Sequence, residues 1–133
     1  MKVQADFTKI STEYEGLPEG EYVTRIESIK EGTSRGSNLP QLEYELVVTE
    51  GEKEGRKMTD FVTLKTNKGD RNDIGLGRMK AYHEAVHGQG SATDELDTDD
   101  VLGALVRIVV KDESYKKDGE TKTGKKIKHV LPV

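Results

Sequence analysis

The clearest structural signal in the sequence is the segment QLEYELVVT, residues 41–49. Its apolar side chains recur at every second position, at Leu42, Tyr44, Leu46 and Val48. Alternate side chains of an extended chain point to opposite faces, so these four share one face. This alternation is typical of a β-strand with one face in a hydrophobic core. The segment therefore predicts a sheet-based fold, and the other elements follow outward from it.

The segment before this strand, residues 21–30, predicts a longer and bent strand. Its first apolar positions alternate on one face, but Ile29 falls out of that alternation. A change of register inside a strand is typical of a β-bulge, which we expect near residues 27–28. A bent first strand suits a small barrel, because a bulge lets the sheet turn a corner.

A third strand is predicted at residues 56–65, with Met58, Val62 and Leu64 on its core face. The opposite face carries Lys57, Thr59, Phe61, Thr63 and Lys65. Asp60 interrupts the apolar face, which leaves two assignments for Phe61 open. The ring lies on the solvent side of a regular strand, or it enters the core if Asp60 marks a bulge.

One helix is predicted after the third strand, with Asp73 as a candidate N-cap and Gly88 as its end. The residues that share its apolar face by spacing are Leu76, Met79, His83 and Val86. Two more strands follow, at residues 102–111 and 126–133, joined by a basic hairpin loop at residues 112–125. We expect Ile127, His129 and Leu131 to share one face of the last strand.

Three strands, a helix and two strands follow one another in the order of an OB-fold, in which the helix lies between strands three and four. The sequence thus predicts a mainly β protein, a five-stranded OB-fold barrel with one helix between strands three and four. Residues 1–16 are expected to form an N-terminal arm and residues 17–133 the OB-fold domain. Tyr22 and Tyr44 are expected in the core of the barrel.

The composition fits one modest core, because 32% of the 133 residues are apolar and 35% are charged. No run approaches the roughly 18 apolar residues of a membrane span, and the N-terminus lacks the apolar block of a signal peptide. The sequence contains no cysteine, which excludes disulfides and thiolate metal sites within it. We therefore expect a cytoplasmic protein that does not cross a membrane.

The charge is distributed unevenly along the chain. The net charge is −4, but residues 107–133 carry eight basic and four acidic groups. Residues 91–100 carry five acids and no base. Such asymmetry creates a local potential that the total charge hides, although charged runs are also ordinary solvated surface. Both interpretations are open at this point.

The sequence gives little support to an enzyme. Residues 83–87, HEAVH, match the letters of the zinc-protease motif HExxH. The motif is short, the predicted helix ends at once at Gly88, and the next ligand candidates are the acids of residues 94–100. We predict no catalytic residue, no cofactor and no metal. A metal-dependent hydrolase built on His83 and His87 is the enzyme alternative.

Cations and aromatic rings favour nucleic-acid binding instead. Proteins that bind single strands combine a basic groove with rings on which bases stack. The candidate binding residues are Arg35, Lys57, Phe61, Lys65, Lys111, Tyr115, Lys116, Lys117, Lys122, Lys125, Lys126 and Lys128. Tyr115 is the best candidate for stacking, although it could instead cover the base of the hairpin. Glu43 and Glu45 are expected on the outward face of the second strand, where they oppose a nucleic acid.

Several short segments resemble one protein family in similar order along nearly the whole chain. They are Asp6-Phe7, Leu17-Pro18-Glu19-Gly20-Glu21-Tyr22, Asn38-Leu39-Pro40-Gln41-Leu42, Gly55-Arg56-Lys57, Arg78-Met79-Lys80 and Val130-Leu131-Pro132. This phage and prophage family, long catalogued as a domain of unknown function, looks like a set of small OB-fold single-stranded-DNA-binding proteins. The resemblance implies protection of single-stranded DNA during phage replication or recombination, in the cytoplasm of the host.

We therefore expect a non-catalytic, sequence-tolerant single-stranded-DNA-binding protein that works beside phage or host replication and recombination proteins. The alternative is a phage protein-interaction module, either a virion component or an inhibitor of a host enzyme. That module would use the acidic surfaces of residues 1–50 and 91–100. The sequence indicates no oligomeric state.

Overall fold

The computed structural model describes residues 1–4, 17–34, 38–65, 68 and 70–133, with the backbone alone at residues 115, 117, 122 and 123. Most of the predicted arm, residues 1–16, lies outside the described residues, so the arm stays a prediction. Residues 1–4 are exposed.

The described chain forms five strands and one α-helix. The elements are β1 (Gly20–Thr33), β2 (Pro40–Val48), β3 (Lys57–Thr63), α1 (Asp73–His87), a short 3₁₀ helix (Thr98–Val101), β4 (Leu105–Lys117) and β5 (Glu120–Leu131). The strands form one sheet in the order β3-β2-β1-β4-β5, and every neighbouring pair is antiparallel. Within the described ranges no helix has both the length and the apolar content needed to cross a membrane.

The predicted bulge in the first strand is confirmed. The register of β1 against β2 shifts between Ile26 and Ser28. At this point Ile26 exchanges backbone hydrogen bonds with the chain that enters β4, donating to Ala104 at 2.9 Å and accepting from Gly103 at 2.8 Å. The first part of β1 pairs with β4 and the longer remainder pairs with β2. One bent strand therefore belongs to both halves of the sheet.

The sheet is not closed in the described part of the chain, so the predicted barrel is not confirmed in that detail. β3 and β5 are the two edges of the sheet, and no strand pairing joins them within the described ranges. The helix follows β3 and precedes β4 in the chain. It lies against β3, β4 and β5, so it contacts both edges of the open sheet.

The core lies between the inner face of the sheet and the helix. Ile26, Leu46, Val106, Ile108 and Val110 are fully buried at its centre. Apolar side chains removed from water in this way supply most of the driving force for folding.

Two stacked tyrosines join the helix to the sheet. The buried rings of Tyr44 and Tyr82 lie with their centroids 4.2 Å apart and their planes 9° apart. The core position expected for Tyr44 is confirmed. The predicted helical face is partly wrong, because the buried residues of α1 are Gly75 and Tyr82. The residues of the predicted face are half-buried: Leu76, Met79, His83 and Val86.

The N-cap of the helix lies one residue earlier than predicted. The Asn72 side chain, and not Asp73, accepts hydrogen bonds from the backbone N–H groups of Ile74 and Gly75 at 3.1 and 3.2 Å. An amide oxygen at this position satisfies N–H groups that lack partners in the first turn. The predicted end at Gly88 is confirmed, with a φ of 106° that favours glycine.

The hairpin between the last two strands corrects a prediction. Residues 112–125 are not a loop, because β4 and β5 stay paired from Lys111–Lys126 to Lys117–Glu120. They are joined by the two-residue turn Asp118-Gly119, whose φ values of 55° and 79° suit a hairpin. Beyond Val110, β4 pairs with β5 alone and forms a two-stranded ribbon. Both faces of a ribbon meet water, so its residues lack the alternation that marks a strand.

The predicted face of the last strand is also wrong. Ile127 and Val130 are buried, while His129 is exposed and Leu131 is 38% exposed. The cause is a bulge, because the register of β4 against β5 shifts between Val109 and Val110. One extra residue in a strand moves all later side chains to the other face.

Candidate nucleic-acid interface

A cleft of about 370 Å³ opens between the edge strands β3 and β5. One wall is β3, the facing wall is the β4–β5 hairpin, and the first turns of α1 complete the lining. We call it the β3–β5 cleft. It brings together parts of the chain that are far apart in sequence, which is why the structure is needed to recognise it.

Phe61 lies on the β3 wall of this cleft. Its side chain is 60% exposed, while the next residue, Val62, is buried. β3 therefore alternates as a regular strand through Asp60, and the assignment of Phe61 to the core is wrong. An exposed ring in a cleft offers a flat apolar surface to a ligand.

Two of the predicted lysines line the opposite wall. Lys125 pairs with Asp112, and the Lys126 ammonium lies 3.8 Å from a carboxylate oxygen of Glu113. Exposed ion pairs of this kind contribute little to stability because water screens them. The lysines can therefore exchange their carboxylate partners for a phosphate. Phe61 and both lysines line the same cleft, as the sequence analysis required of a binding groove.

Ile74 lies in the first turn of the helix, lines the same cleft and is 89% exposed. Ile74 is not among the binding residues that the sequence predicts. Its position could have indicated an exposed apolar side chain, because Ile74 lies in the first turn of the helix and outside the predicted apolar face of Leu76, Met79 and Val86. A single exposed apolar side chain is common on protein surfaces, but Ile74 shares a cleft with the exposed ring of Phe61.

Asp60 and Arg78 also line the cleft, and they form a polar cluster with the buried Tyr82. The Tyr82 hydroxyl donates to Oδ2 of Asp60 at 2.7 Å, and Nε of Arg78 lies 3.7 Å from the same oxygen. Nη2 of Arg78 donates to the backbone carbonyl of Ile127 in β5 at 2.6 Å. These partners explain how a carboxylate occupies the inward face of β3, where the sequence pattern expects an apolar residue.

Burial shifts the ionisation of this cluster. It raises the pKa of Asp60 above its ordinary value of 3.8, against the hydrogen bond from Tyr82 and the charge of Arg78. Burial, together with the charge of Asp60, raises the pKa of Tyr44 to about 12. The same two causes raise the pKa of Tyr82 well above 10.0. Both phenols stay neutral at physiological pH, so Tyr82 keeps the proton that it donates to Asp60.

The outward face of the sheet is less favourable to a nucleic acid. Lys57 projects from β3, but its ammonium lies 3.5 Å from Glu27 and 3.8 Å from Glu45. Glu43 lies on the same face, next to Phe61 in the register of β2 and β3. Two carboxylates therefore lie near one lysine here, whereas Lys125 and Lys126 in the cleft each pair with one.

The other predicted residues lie around the cleft or outside the described set. Lys65 is exposed beyond the end of β3, where its backbone bridges to Arg71. Lys111, Lys116 and Lys128 are exposed on β4 and β5. In the ribbon, the backbone of Tyr115 pairs with that of Lys122, and the backbone of Lys117 pairs with that of Glu120. Arg35 lies outside the described residues. The two assignments of Tyr115 stay open.

The two helical histidines lie beside the acidic segment rather than in the cleft. The rings of His83 and His87 have their centroids 4.7 Å apart, and Nε2 of His87 lies 2.9 Å from the backbone carbonyl of Asp100. Among the residues that the structure describes, no group of three or more His, Cys, Asp or Glu is placed to hold a metal ion. The match to HExxH therefore finds no additional ligand in the described ranges.

Comparison with known proteins gives one match and one negative result. No curated protein matches the chain. The model of the family described as "Protein of unknown function (DUF669)" matches residues 3–132. This match covers all the strands, the helix and the β3–β5 cleft. The chain therefore belongs to the family described as "Protein of unknown function (DUF669)".

Proposed function

We propose that this protein binds single-stranded DNA in the β3–β5 cleft without a catalytic step. The observation that carries the proposal is the shared position of Phe61, Lys125 and Lys126 in one cleft. A ring that stacks on bases and cations that contact phosphates are the two parts of a sequence-tolerant single-strand site.

We propose further that the fold is an OB-fold barrel, open between its third and fifth strands. OB-folds are partly open five-stranded barrels that bind oligonucleotides. The strand order β3-β2-β1-β4-β5 and the helix between β3 and β4 support this assignment. So does the bulge in β1, because that strand pairs with both halves of the sheet.

The phosphates of the strand would be bound by Lys125 and Lys126, and then by lysines farther along the hairpin. Lys116 is exposed on β4 in this hairpin. A backbone that leaves the cleft along the hairpin therefore meets further positive charge. Binding of this kind releases counterions from the phosphates, so the affinity falls as salt rises.

The bases would contact the apolar part of the cleft. Phe61 offers a ring face, on which stacking contributes about 1–3 kcal/mol per base. Ile74 offers a second apolar surface in the same cleft. Only unpaired bases expose their faces for such contacts, so the site is expected to prefer single strands over duplexes.

The resemblance to phage proteins supports the biological part of the proposal. Replication and recombination both expose single strands, and a sequence-tolerant protein would protect them in the host cytoplasm. The expected partners are single-stranded DNA and, beside it, phage or host replication and recombination proteins. In this role the protein needs neither a cofactor nor a metal.

The direct test is a fluorescence-anisotropy titration with a labelled oligothymidine at about 50 and 200 mM salt. We expect saturable binding that weakens steeply between the two salt concentrations. A duplex of the same length serves as the competitor and should displace the oligothymidine poorly. Absence of binding at the lower salt concentration, or an affinity that does not change with salt, would contradict the proposal.

A second groove favours the alternative, a protein-interaction module. It has a volume of about 860 Å³ and lies between α1 and the acidic segment, with Leu76, Met79 and Leu96 as apolar lining. Asp94 and Glu95 lie at the same groove, together with Lys80 and the ion pair of Arg71 and Asp73. A basic peptide with apolar side chains would fit this chemistry. If the alternative holds, the protein binds no oligothymidine, and Asp94→Asn with Glu95→Gln weakens capture of its protein partner.

A further inference from the structure

The walls of the β3–β5 cleft are the two edges of the sheet, and strand pairing does not join them in the described part of the chain. Arg78 contacts both walls. Its Nε lies 3.7 Å from Oδ2 of Asp60 in β3, and its Nη2 donates to the carbonyl of Ile127 in β5 at 2.6 Å. We infer that Arg78 is a positioning residue that fixes the separation of the two walls.

The residues that Arg78 contacts are the neighbours of the binding residues in their strands. Asp60 precedes Phe61 in β3, and Ile127 follows Lys126 in β5. Neighbouring residues of a strand are about 3.3 Å apart along the chain. An anchor on Asp60 and Ile127 therefore also restrains the backbone from which Phe61 and Lys126 project.

The anchor itself is well supported. The side chains of Arg78 and Asp60 are only 21% and 14% exposed. The hydroxyl of Tyr82 donates to Asp60, and the ring of Tyr82 stacks on Tyr44. These contacts hold the ion-pair partner of Arg78 in place. The hydrogen bond from Arg78 to the carbonyl of Ile127 is charge-assisted and has narrow geometry, and the ion pair with Asp60 holds the guanidinium at the other wall. Arg78 therefore acts as a spacer between the walls.

The inference that Arg78 positions a DNA site rests on the proposed function, but its structural part can be measured without any ligand. The chain has no cysteine, so two can be introduced cleanly. Lys57→Cys in β3 and Lys128→Cys in β5 are exposed and lie outside the cleft lining. Spin labels attached to these two cysteines allow the distance between the walls to be measured by double electron–electron resonance.

We expect a single narrow distance distribution with Arg78 present and a clearly broader one in the Arg78→Met variant. Methionine keeps an unbranched side chain of similar length but removes both polar contacts. Arg78→Lys, which keeps the charge beside Asp60, should restore part of the narrow distribution. The matched control is Arg107→Met, since Arg107 pairs with Glu21 at 3.8 Å and lines a different cavity.

A second measurement connects the spacing to binding. Arg78→Met should weaken oligothymidine binding by about threefold to tenfold, as expected for coupled residues. The dependence of affinity on salt should not change, because Arg78 contacts no phosphate in this scheme. Arg107→Met should leave both the affinity and its salt dependence as they are.

The outcomes separate the two ideas. An unchanged distance distribution in Arg78→Met overturns the inference, whatever the DNA result. A broadened distribution in a protein that binds no oligothymidine overturns the proposed function but supports the spacing role of Arg78. If circular dichroism shows that Arg78→Met does not fold, the distance distribution of Arg78→Lys is compared with that of the parent protein instead. Identical distributions in that pair then overturn the inference.

Discussion

Gly75 and Thr63 are in backbone contact, since a Cβ atom on Gly75 would lie 1.8 Å from the carbonyl oxygen of Thr63. The first turn of α1 is thereby seated on the end of β3. Glycine normally weakens a helix by about 1 kcal/mol relative to alanine. At Gly75 that cost is unavoidable, because no side chain fits between the helix and the strand.

The contact predicts opposite effects for two neighbouring glycines. Gly75→Ala should lower the free energy of unfolding by at least about 3 kcal/mol, because the neighbour is backbone and cannot yield like a side chain. Gly77→Ala has open space around its Cβ and should raise the free energy of unfolding by up to about 1 kcal/mol. Urea denaturation of both variants measures the difference. Similar stability of the two variants would contradict this account of the helix.

The apolar part of the cleft predicts losses of affinity without losses of stability. Phe61→Ala should weaken oligothymidine binding by about 5- to 100-fold, as expected for one lost stacking contact. Ile74→Ala should weaken it by about fivefold, because a smaller apolar surface is removed. Both side chains are largely exposed, so the unfolding midpoint should barely move.

The control for these two variants is Leu105→Ala, which removes an exposed apolar side chain of β4 outside the cleft. Its affinity for oligothymidine should equal that of the parent protein. A loss in Leu105→Ala as large as that in Phe61→Ala would locate the bases elsewhere on the protein.

The cleft lysines predict a change in salt dependence. In Lys125→Gln with Lys126→Gln, the slope of log affinity against log salt concentration should decrease in magnitude by about 1.4, since each phosphate contact on a single strand contributes about 0.7. Titrations at four or more salt concentrations measure this slope. Lys53→Gln, at a different cavity, is the control and should keep the parent slope. An unchanged slope in the double variant would exclude these lysines as phosphate ligands.

The raised pKa of Asp60 predicts how stability depends on pH. The native state holds the proton of Asp60 more tightly than the unfolded state, whose pKa is near 3.8. Ionised Asp60 therefore costs stability at neutral pH, and that cost disappears as the pH falls through the folded pKa toward 3.8. Compared with Asp60→Asn, the parent protein should gain stability over this acidic window.

Urea denaturation of both proteins between pH 7 and about 4 tests this expectation. The other carboxyl groups titrate in both proteins, so their contributions cancel in the difference between the two free energies of unfolding. If the parent protein instead loses stability relative to Asp60→Asn as the pH falls, the carboxylate of Asp60 is stabilised by Arg78 and Tyr82 more than burial disfavours it.

Local sequence patterns were sufficient for much of the sheet. The alternation in residues 41–49 predicted β2, and the break in alternation before Ile29 predicted the bulge in β1. Both features can be read from residues that are neighbours in the sequence. Alternation also offered the solvent-facing assignment of Phe61, but Asp60 left the core assignment open beside it. These signals come from the chain itself and need no knowledge of distant partners.

The parts that the sequence did not reveal depend on contacts over long distances. Asp60, Arg78 and Ile127 meet only because α1 lies against both edges of the sheet, and nothing in their spacing indicates it. The face of β5 was mispredicted because one bulged residue reverses all later side chains. The sequence predicts a loop at residues 112–125, where the structure has the ribbon, because a ribbon with both faces exposed to water imposes no alternation.

The double pairing of β1 also has a consequence for how this chain folds as it is made. Thr24 donates its hydroxyl hydrogen to the carbonyl of Val106, across 82 positions of sequence. In a nascent chain, β1, β2 and β3 can pair as a meander. The N-terminal part of β1, however, has no partner strand on its other side until β4 has left the ribosome. Such distant pairing slows folding, and an unpaired edge invites association with other chains. Ribosome-stalled chains that end before β4 should therefore aggregate, whereas chains that extend through β5 should not.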